Sequence, residues 1–364
     1  MKLVANLKLT PTHEQAARLR ATVERANAAC NWLSAEAWTT RTFGQYALHR
    51  LAYQAVRARF GLTAQMAVRC IAKVADAYKA DRERQRTFRP LGSIAYDDRI
   101  LRFKRGDQVS LWTLDGRQVV AFVCGERQRA LLAHRQGEVD LCYVRGHWYL
   151  NVVCDVPDPV PFLPADVLGV DLGIVNLAVD SDGTTYSGER IEHHRRVYQH
   201  RRRNLQRKGT RAAKRKLRAL SGRQARYQAH TNHSISKAIV ATAQRTGRAI
   251  ALEDLGGIRN RVTARRRQRA RLANWAFYQL GSFIQYKARQ AGVPLVRVDP
   301  RNTSRTCPRC GVIDKANRPT QALFLCTSCR FSAPADVVAA GVIATRARAA
   351  CKSADVRGSY TGSC

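Results

Sequence analysis

The chain has 364 residues, enough to bury a core in two or three domains, and carries 63 Lys and Arg against 27 Asp and Glu, a formal charge of +36. A basic excess of that size suits nucleic acid better than any small acidic substrate, and binding through counterion release is steeply salt-dependent. No apolar run approaches the ~18 residues of a membrane-spanning helix, so no membrane partner is expected.

Met1–Leu9 alternates as a strand does and lacks the apolar core and cleavage site of a signal peptide; a reducing prokaryotic cytosol or nucleoid is the expected compartment. The eleven cysteines are then thiols or metal ligands. Seven of them, Cys30, Cys70, Cys124, Cys142, Cys154, Cys351 and Cys364, are scattered singly and read as small buried apolar groups or, for the last two, as tail residues. Thr12 followed by Gln15 has the spacing of a capping box, and Leu19, Val23, Ala26, Cys30 and Leu33 then recur at helical spacing. Two further helices are predicted around 45–59 (Tyr46, Leu48, Leu51, Val56) and 64–79 (Val68, Ile71, Val74, Tyr78). Trp32, Tyr46 and Tyr78, on amphipathic helices, read as core aromatics before base-stacking ones.

From about 95 to 156 the period changes to two. Val119–Cys124 and Leu141–Cys154 read as strands, with turns at Asp115-Gly116 and Arg145-Gly146, giving a compact sheet or barrel to which the first strand can return. Pro157, Pro159, Pro161 and Pro164 mark a linker. Val167–Val170 then reads as a buried strand, 177–186 as a hairpin, and 190–246 as strongly helical and basic. Ala249–Leu252 is a second buried strand, followed by a helix near 274–291 and a strand near 294–298. Arg201, Arg202, Arg203, Arg207, Lys208, Lys214 and Arg215, with Arg265, Arg266 and Arg267 in a loop, have the charge to track phosphates.

Cys307 and Cys310, then Cys326 and Cys329, form two C-x₂-C pairs separated by fifteen residues. Four soft thiolates at that spacing favour one tetrahedral, closed and therefore structural Zn²⁺, with Gly311 permitting the tight turn. Asp171 and Glu253 each end an apolar strand, and Asp336 opens a helical stretch, an arrangement able to hold two hard cations about 4 Å apart for phosphodiester hydrolysis. Spacing alone does not select these three over Asp180, Asp182, Asp254 and Asp299.

The stretches Leu168–Leu177, Ala251–Leu255, Val298–Gly311 and Ala335–Ala340, in that order and with the cysteine array before the third acid, resemble the TnpB (OrfB) family of transposon-encoded proteins, relatives of the compact type V CRISPR effectors. Weaker similarity extends over nearly the whole chain. The resemblance implies an α+β multidomain protein. Its expected parts are a wedge-like β-barrel (1–10 and 92–160), a helical recognition module (11–91), and an RNase H-like RuvC nuclease domain (165–305 and 331–350). A zinc-bearing target-nucleic-acid-binding insert (306–330) and a tail (351–364) complete it. The resemblance further implies an RNA-guided DNA endonuclease that cuts beside a short protein-read motif. Asp171, Glu253 and Asp336 would hold two catalytic Mg²⁺, Arg318 would assist at phosphate, and the four cysteines would hold zinc. Guide RNA, target duplex and its displaced strand are the implied partners, with one chain per guide and a dimer left open. The alternatives are an RNA-guided DNA-binding regulator that does not cut, and a guide-free RuvC-like nuclease or transposase accessory protein. One departure is local: the family commonly carries Asn where this chain has Val338 and Val342.

Overall fold

The computed structural model describes residues 1–255 and 277–355. They divide into two compact units, Met1–Pro157 and Asp158–Cys364.

In the first unit β1 (Lys2–Leu9) leads into α1 (His13–Thr39), α2 (Gln45–Phe60) and α3 (Ala64–Ala80). The capping box is formed, with the Thr12 hydroxyl accepting from Gln15 N and the Gln15 side chain accepting from Thr12 N. The strands β2 (Ile94–Tyr96), β3 (Leu101–Lys104), β4 (Gln108–Thr113), β5 (Gly116–Val123), β6 (Arg135–Val144) and β7 (His147–Asp155) follow, with α4 (Glu126–Leu132) between β5 and β6. They make one antiparallel sheet in the order β2-β6-β7-β1-β5-β4-β3, so β1 is a central strand between β7 and β5. The sheet is nearly closed, and the Tyr96 hydroxyl at one edge donates to the Trp112 carbonyl near the other. Arg145 and Gly146 both adopt positive φ, as a two-residue hairpin of the β6–β7 kind requires.

Alternate residues of β1 (Ala5, Leu7, Leu9) pack in one core with Leu19, Val23, Cys30, Leu33 and the fully buried Tyr78. Trp32 packs partly buried against the same core. Tyr46 and Leu51 differ from expectation: they are exposed, because the buried stripe of α2 is the narrower Leu48, Ala52 and Val56 at strict i, i+4 spacing. Cys30, Cys70 and Cys154 are buried, whereas Cys124, Cys142 and Cys351 are half-buried; Cys364 lies outside the described residues.

The second unit is built on β8 (Asp166–Asp171), β9 (Asn176–Asp180), β10 (Thr185–Ser187), β11 (Arg248–Glu253) and β12 (Leu295–Val298), in the order β10-β9-β8-β11-β12. β8, β11 and β12 run parallel, and β9 and β10 pair antiparallel. Numbered within the unit the order is 3-2-1-4-5, that of the RNase H-like fold. Two long helices, α5 (Glu189–Lys208) and α6 (Arg211–Arg245), connect β10 to β11, and α7 (Phe277–Gln290) precedes β12. Leu168, Val170, Ile250 and Leu252 face α6 and α7, packing on Ile235, Ile239, Leu280 and Ile284. The intervening Val167, Ala249 and Ala251 face the other way, onto Ile343, Ala344 and Ala347 of α8 (Ala335–Asp355). A strand covered on both faces reads as a continuous apolar run, which is why these segments show no alternation in sequence.

Gly169 sets how closely α8 approaches. A Cβ there would stand 2.1 Å from the Ala340 carbonyl oxygen and 2.7 Å from Ala344 N, so the helix lies directly on the β8 backbone. Between β12 and α8 the chain forms a small knuckle containing a 3₁₀ turn (Lys315–Asn317) and the hairpin β13 (Leu323–Leu325) and β14 (Ser332–Pro334).

Candidate active site and metal centre

Val170 of β8 is paired with Leu252 of β11, so the next residues, Asp171 and Glu253, stand side by side at the C-terminal ends of adjacent parallel strands. Open α/β sheets place ligands at this end, where the strands stop and the backbone turns away. Asp336 lies in the first turn of α8, where the helix dipole favours a carboxylate, and the close α8–β8 packing carries it to the same end of the sheet.

Burial pushes the Asp171 carboxyl up to about 7, with the charges of Glu253 and Asp336 adding to the effect and Arg318 opposing it. Burial also raises Glu253, against the hydrogen bond from Thr303 and the charge of Arg346. The structure therefore brings the three acids into one electrostatic cluster. They are not free of partners: Asp336 accepts at Oδ1 from Arg318 Nη2 at 3.1 Å and at Oδ2 from Asn176 Nδ2 at 2.9 Å. Glu253 accepts at Oε1 from the Thr303 hydroxyl. Three hard carboxylates, two of them raised by burial, are a donor set that fits divalent cations.

The other acids weighed in the sequence have structural partners of their own. Asp180, 1 % exposed, accepts from the backbone N–H of Asp182 and Thr184 and closes the β9–β10 turn. Asp182 forms an ion pair with Arg248. Asp299 accepts from Arg301 N, and the backbone N–H of Asp254 donates to the Val298 carbonyl.

Cys307, Cys310, Cys326 and Cys329 place their Sγ atoms within 4.8 Å of one another, with Cys307–Cys329 at 3.6 Å and Cys310–Cys326 at 3.5 Å. A tetrahedron with Zn–S bonds of about 2.3 Å has S–S edges of about 3.8 Å, so the cluster fits a structural zinc site. The backbone N–H of Cys329 aims at the Cys326 sulfur at 3.4 Å, and with that of Ser328 it lowers the Cys326 thiol to about 6, while burial and the neighbouring thiols raise Cys329 to about 12. Gly311 has the positive φ expected of the knuckle turn. Asn317, wholly buried, donates to the Arg305 and Val312 carbonyls and accepts from Thr327, tying the two cysteine loops together.

Val338 and Val342, both 4 % exposed, share a cluster with Cys307, Phe324, Cys326 and Ala335. They form the apolar seat on which the knuckle rests against α8. Arg318, beside Asn317, thereby reaches Asp336 across the same junction.

Arg201, Arg202, Arg203, Arg207 and Lys208 on α5, and Lys214 and Arg215 on α6, are all exposed. Arg265, Arg266 and Arg267 lie outside the described residues. Sequence reading overlooked Asn176, Thr303, Asn317 and Arg346. The first two stand inside the motif stretches, where an amide or hydroxyl three to five residues from a charged or cysteine position was the available signal.

Residues 151–256 match the family OrfB_IS605, described as a probable transposase, and residues 277–343 match the Cas12f1-like TNB domain. A CRISPR-associated endodeoxyribonuclease Cas12f1 of Sulfoacidibacillus thermotolerans is 34 % identical over 55 % of this chain and 50 % of its own length. A TnpB-like protein of Methanocaldococcus jannaschii is 38 % identical over 33 % of this chain and 42 % of its own. The putative RNA-guided DNA endonuclease InsQ of Escherichia coli is 26 % identical over 53 % of this chain and 52 % of its own. The chain thus matches these relatives over about half of their length or less. A solved Cas12f1–sgRNA–target DNA complex aligns over 94 % of this chain and 99 % of that one, at 16 % identity and a TM-score of 0.42. Two family models matched in chain order, with relatives that bear both names, make the chain similar to the TnpB (OrfB) and Cas12f proteins.

Proposed function

We propose that the protein is an RNA-guided DNA endonuclease that hydrolyses phosphodiesters at one RuvC-type site with Asp171, Glu253 and Asp336. The observation that carries this reading is the convergence of the three acids at the strand ends, with burial and mutual repulsion lifting Asp171 to about 7. A buried carboxylate beside like charges, as Asp171 is, gains when a cation takes the place of its proton. Bound Mg²⁺ at such carboxylates would activate the attacking water and stabilise the leaving oxygen.

The chain's own residues supply the rest. Asp171 and Glu253 sit on strand ends fixed by backbone pairing on both flanks, so their spacing is set by the sheet. Arg318 neutralises Asp336 while no phosphate is near; its planar fork can exchange that carboxylate for a phosphate oxygen of the scissile strand. The exposed cations of α5 and α6, together with Arg265, Arg266 and Arg267, would follow the backbones of guide RNA and heteroduplex, and the zinc knuckle would belong to the target-binding insert. From His193 to Leu252 the chain has no Asp or Glu, which supports a polyanion partner for that stretch. The near-closed sheet and three helices of the first unit fit the wedge and recognition roles implied by the family. No helix among the described residues is long and apolar enough to cross a membrane, in keeping with action in the cytosol or nucleoid.

The test is plasmid cleavage by the protein purified with its bound RNA, with and without Mg²⁺. Cleavage directed by the RNA sequence, lost in Asp171→Ala while RNA and target binding persist, is the expected result. Unchanged cutting by that variant would overturn the site assignment, and a protein that binds targets without cutting would be the regulator instead.

A further inference from the structure

Two of the three acids are each gripped at a single oxygen by an uncharged donor. Thr303, in the segment that runs from β12 to the first zinc ligand, directs its hydroxyl at Glu253 Oε1. Asn176, the first residue of β9, donates Nδ2–H to Asp336 Oδ2 at 2.9 Å. Both donors are fixed by their surroundings. Thr303 is 3 % exposed and its hydroxyl also lies 3.1 Å from the Pro300 carbonyl; β9 is hydrogen-bonded to β8 and β10.

The chemistry of the donors decides what they are for. The acids outside the cluster are held differently: the exposed Asp182 pairs with the cation of Arg248, and the buried Asp180 is satisfied by backbone N–H groups of its own turn. A neutral hydroxyl or amide fixes the direction of a carboxylate and leaves its negative charge in place. It also leaves the second oxygen of each group, Glu253 Oε2 and Asp336 Oδ1, on the side away from the donor. The last of these is met by Arg318, a partly exposed side chain from the knuckle. Orientation without neutralisation is the requirement of a carboxylate that ligates metal, and such supporting hydrogen bonds set the affinity of the site.

We infer that Thr303 and Asn176 are positioning residues that aim Glu253 and Asp336 at divalent cations. The inference rests on the nuclease reading above. Thr303 adds a consequence: Arg346 of α8 donates to the carbonyls of Asp299 and Arg301, so the segment bearing Thr303 is pinned to the helix bearing Asp336, and the two anchors belong to one frame.

The experiment measures Mn²⁺ binding to the RNA-bound protein by electron paramagnetic resonance, without DNA, alongside the Mg²⁺ concentration for half-maximal cleavage. Thr303→Val and Asn176→Ala should each weaken cation binding by about 10- to 100-fold and raise the Mg²⁺ requirement similarly, with target binding unchanged. Thr303→Ser, which keeps the hydroxyl, should bind as wild type does. Wild-type affinity in both Thr303→Val and Asn176→Ala overturns the positioning role. If Asp171→Asn also binds Mn²⁺ as wild type does, the metal reading of the acids fails instead, so the two failures are distinct. Thermal unfolding of each variant identifies any that do not fold, and the other anchor then gives the answer.

Discussion

The raised carboxyl of Asp171 makes the second unit depend on pH in a way that one substitution isolates. Its pKa lies at about 7 in the folded protein against an ordinary 3.8. The fold therefore prefers the neutral carboxyl. The stability this group contributes is complete below pH 3.8, falls as pH rises from about 4 to 7, and is gone above about 7. At about 1.4 kcal/mol for each pKa unit, that distance corresponds to about 4 kcal/mol, an upper bound for a site with some solvent access. Glu253, also raised, adds in the same direction. Asp171→Asn, which stays neutral, should lack the Asp171 share. The measurement is urea unfolding at pH 5 and pH 8 in magnesium-free buffer, read by pulse proteolysis so that fragments of 158–355 are scored apart from those of 1–157. Wild type should lose more stability than Asp171→Asn between the two pH values, and Mg²⁺ added at pH 8 should restore wild type but not the variant by a comparable amount. Identical pH dependence in the two proteins would refute the argument that Asp171 is buried beside like charges.

Gly169→Ala inserts a methyl group where the Ala340 carbonyl already stands, so α8 must shift; a loss of about 1–3 kcal/mol or more in unfolding free energy, with cleavage falling alongside, is expected. Cys310→Ser should release zinc, detected by a chromogenic chelator, and loosen hydrogen-exchange protection from 306 to 334, while β8 and β11 stay protected. Val338→Asn, which supplies the residue common in the family, puts an amide into the apolar seat of the knuckle and should lower thermal stability instead of raising cleavage. Arg318→Gln should leave target binding intact and reduce the single-turnover rate, a split that a purely structural loop arginine would not produce.

Much of this architecture could be read from local pattern because local chemistry decided it. Thr12 and Gln15 specify a helix start without help from the rest of the chain, and the buried strands at 167–170 and 249–252 announce themselves as short apolar runs between polar residues. The short strand β2 escaped because its partner is distant in sequence, Ile94 pairing with Leu141, whereas β3 and β4 are short hairpin strands paired with each other and with β5. Tyr46 and Leu51 misled for a related reason: helical spacing counts residues on a face, but the width of the buried stripe is set by the neighbouring helix. At the site, the order of motifs located Asp171, Glu253 and Asp336, whereas Asn176 and Thr303 gained their meaning only when folding brought 176 to 336 and 303 to 253. No period or spacing encodes a contact of that kind.

The two valines that depart from the family pattern belong to the same argument. As positions on α8 they lie on a face different from that of Ala340, Ala344 and Ala347, which the strands cover, and they carry the knuckle. One helix thus has three tasks: small residues pressed on Gly169, a carboxylate in its first turn, and an apolar seat for a four-thiol cluster. Moving the seat would tilt the first turn and pull Arg318 from Asp336, since that contact spans the junction between knuckle and helix. Val338 and Val342 make this junction a dry, apolar contact. The knuckle and the acids therefore meet at one junction, through the apolar seat of Val338 and Val342 and through the Arg318–Asp336 contact.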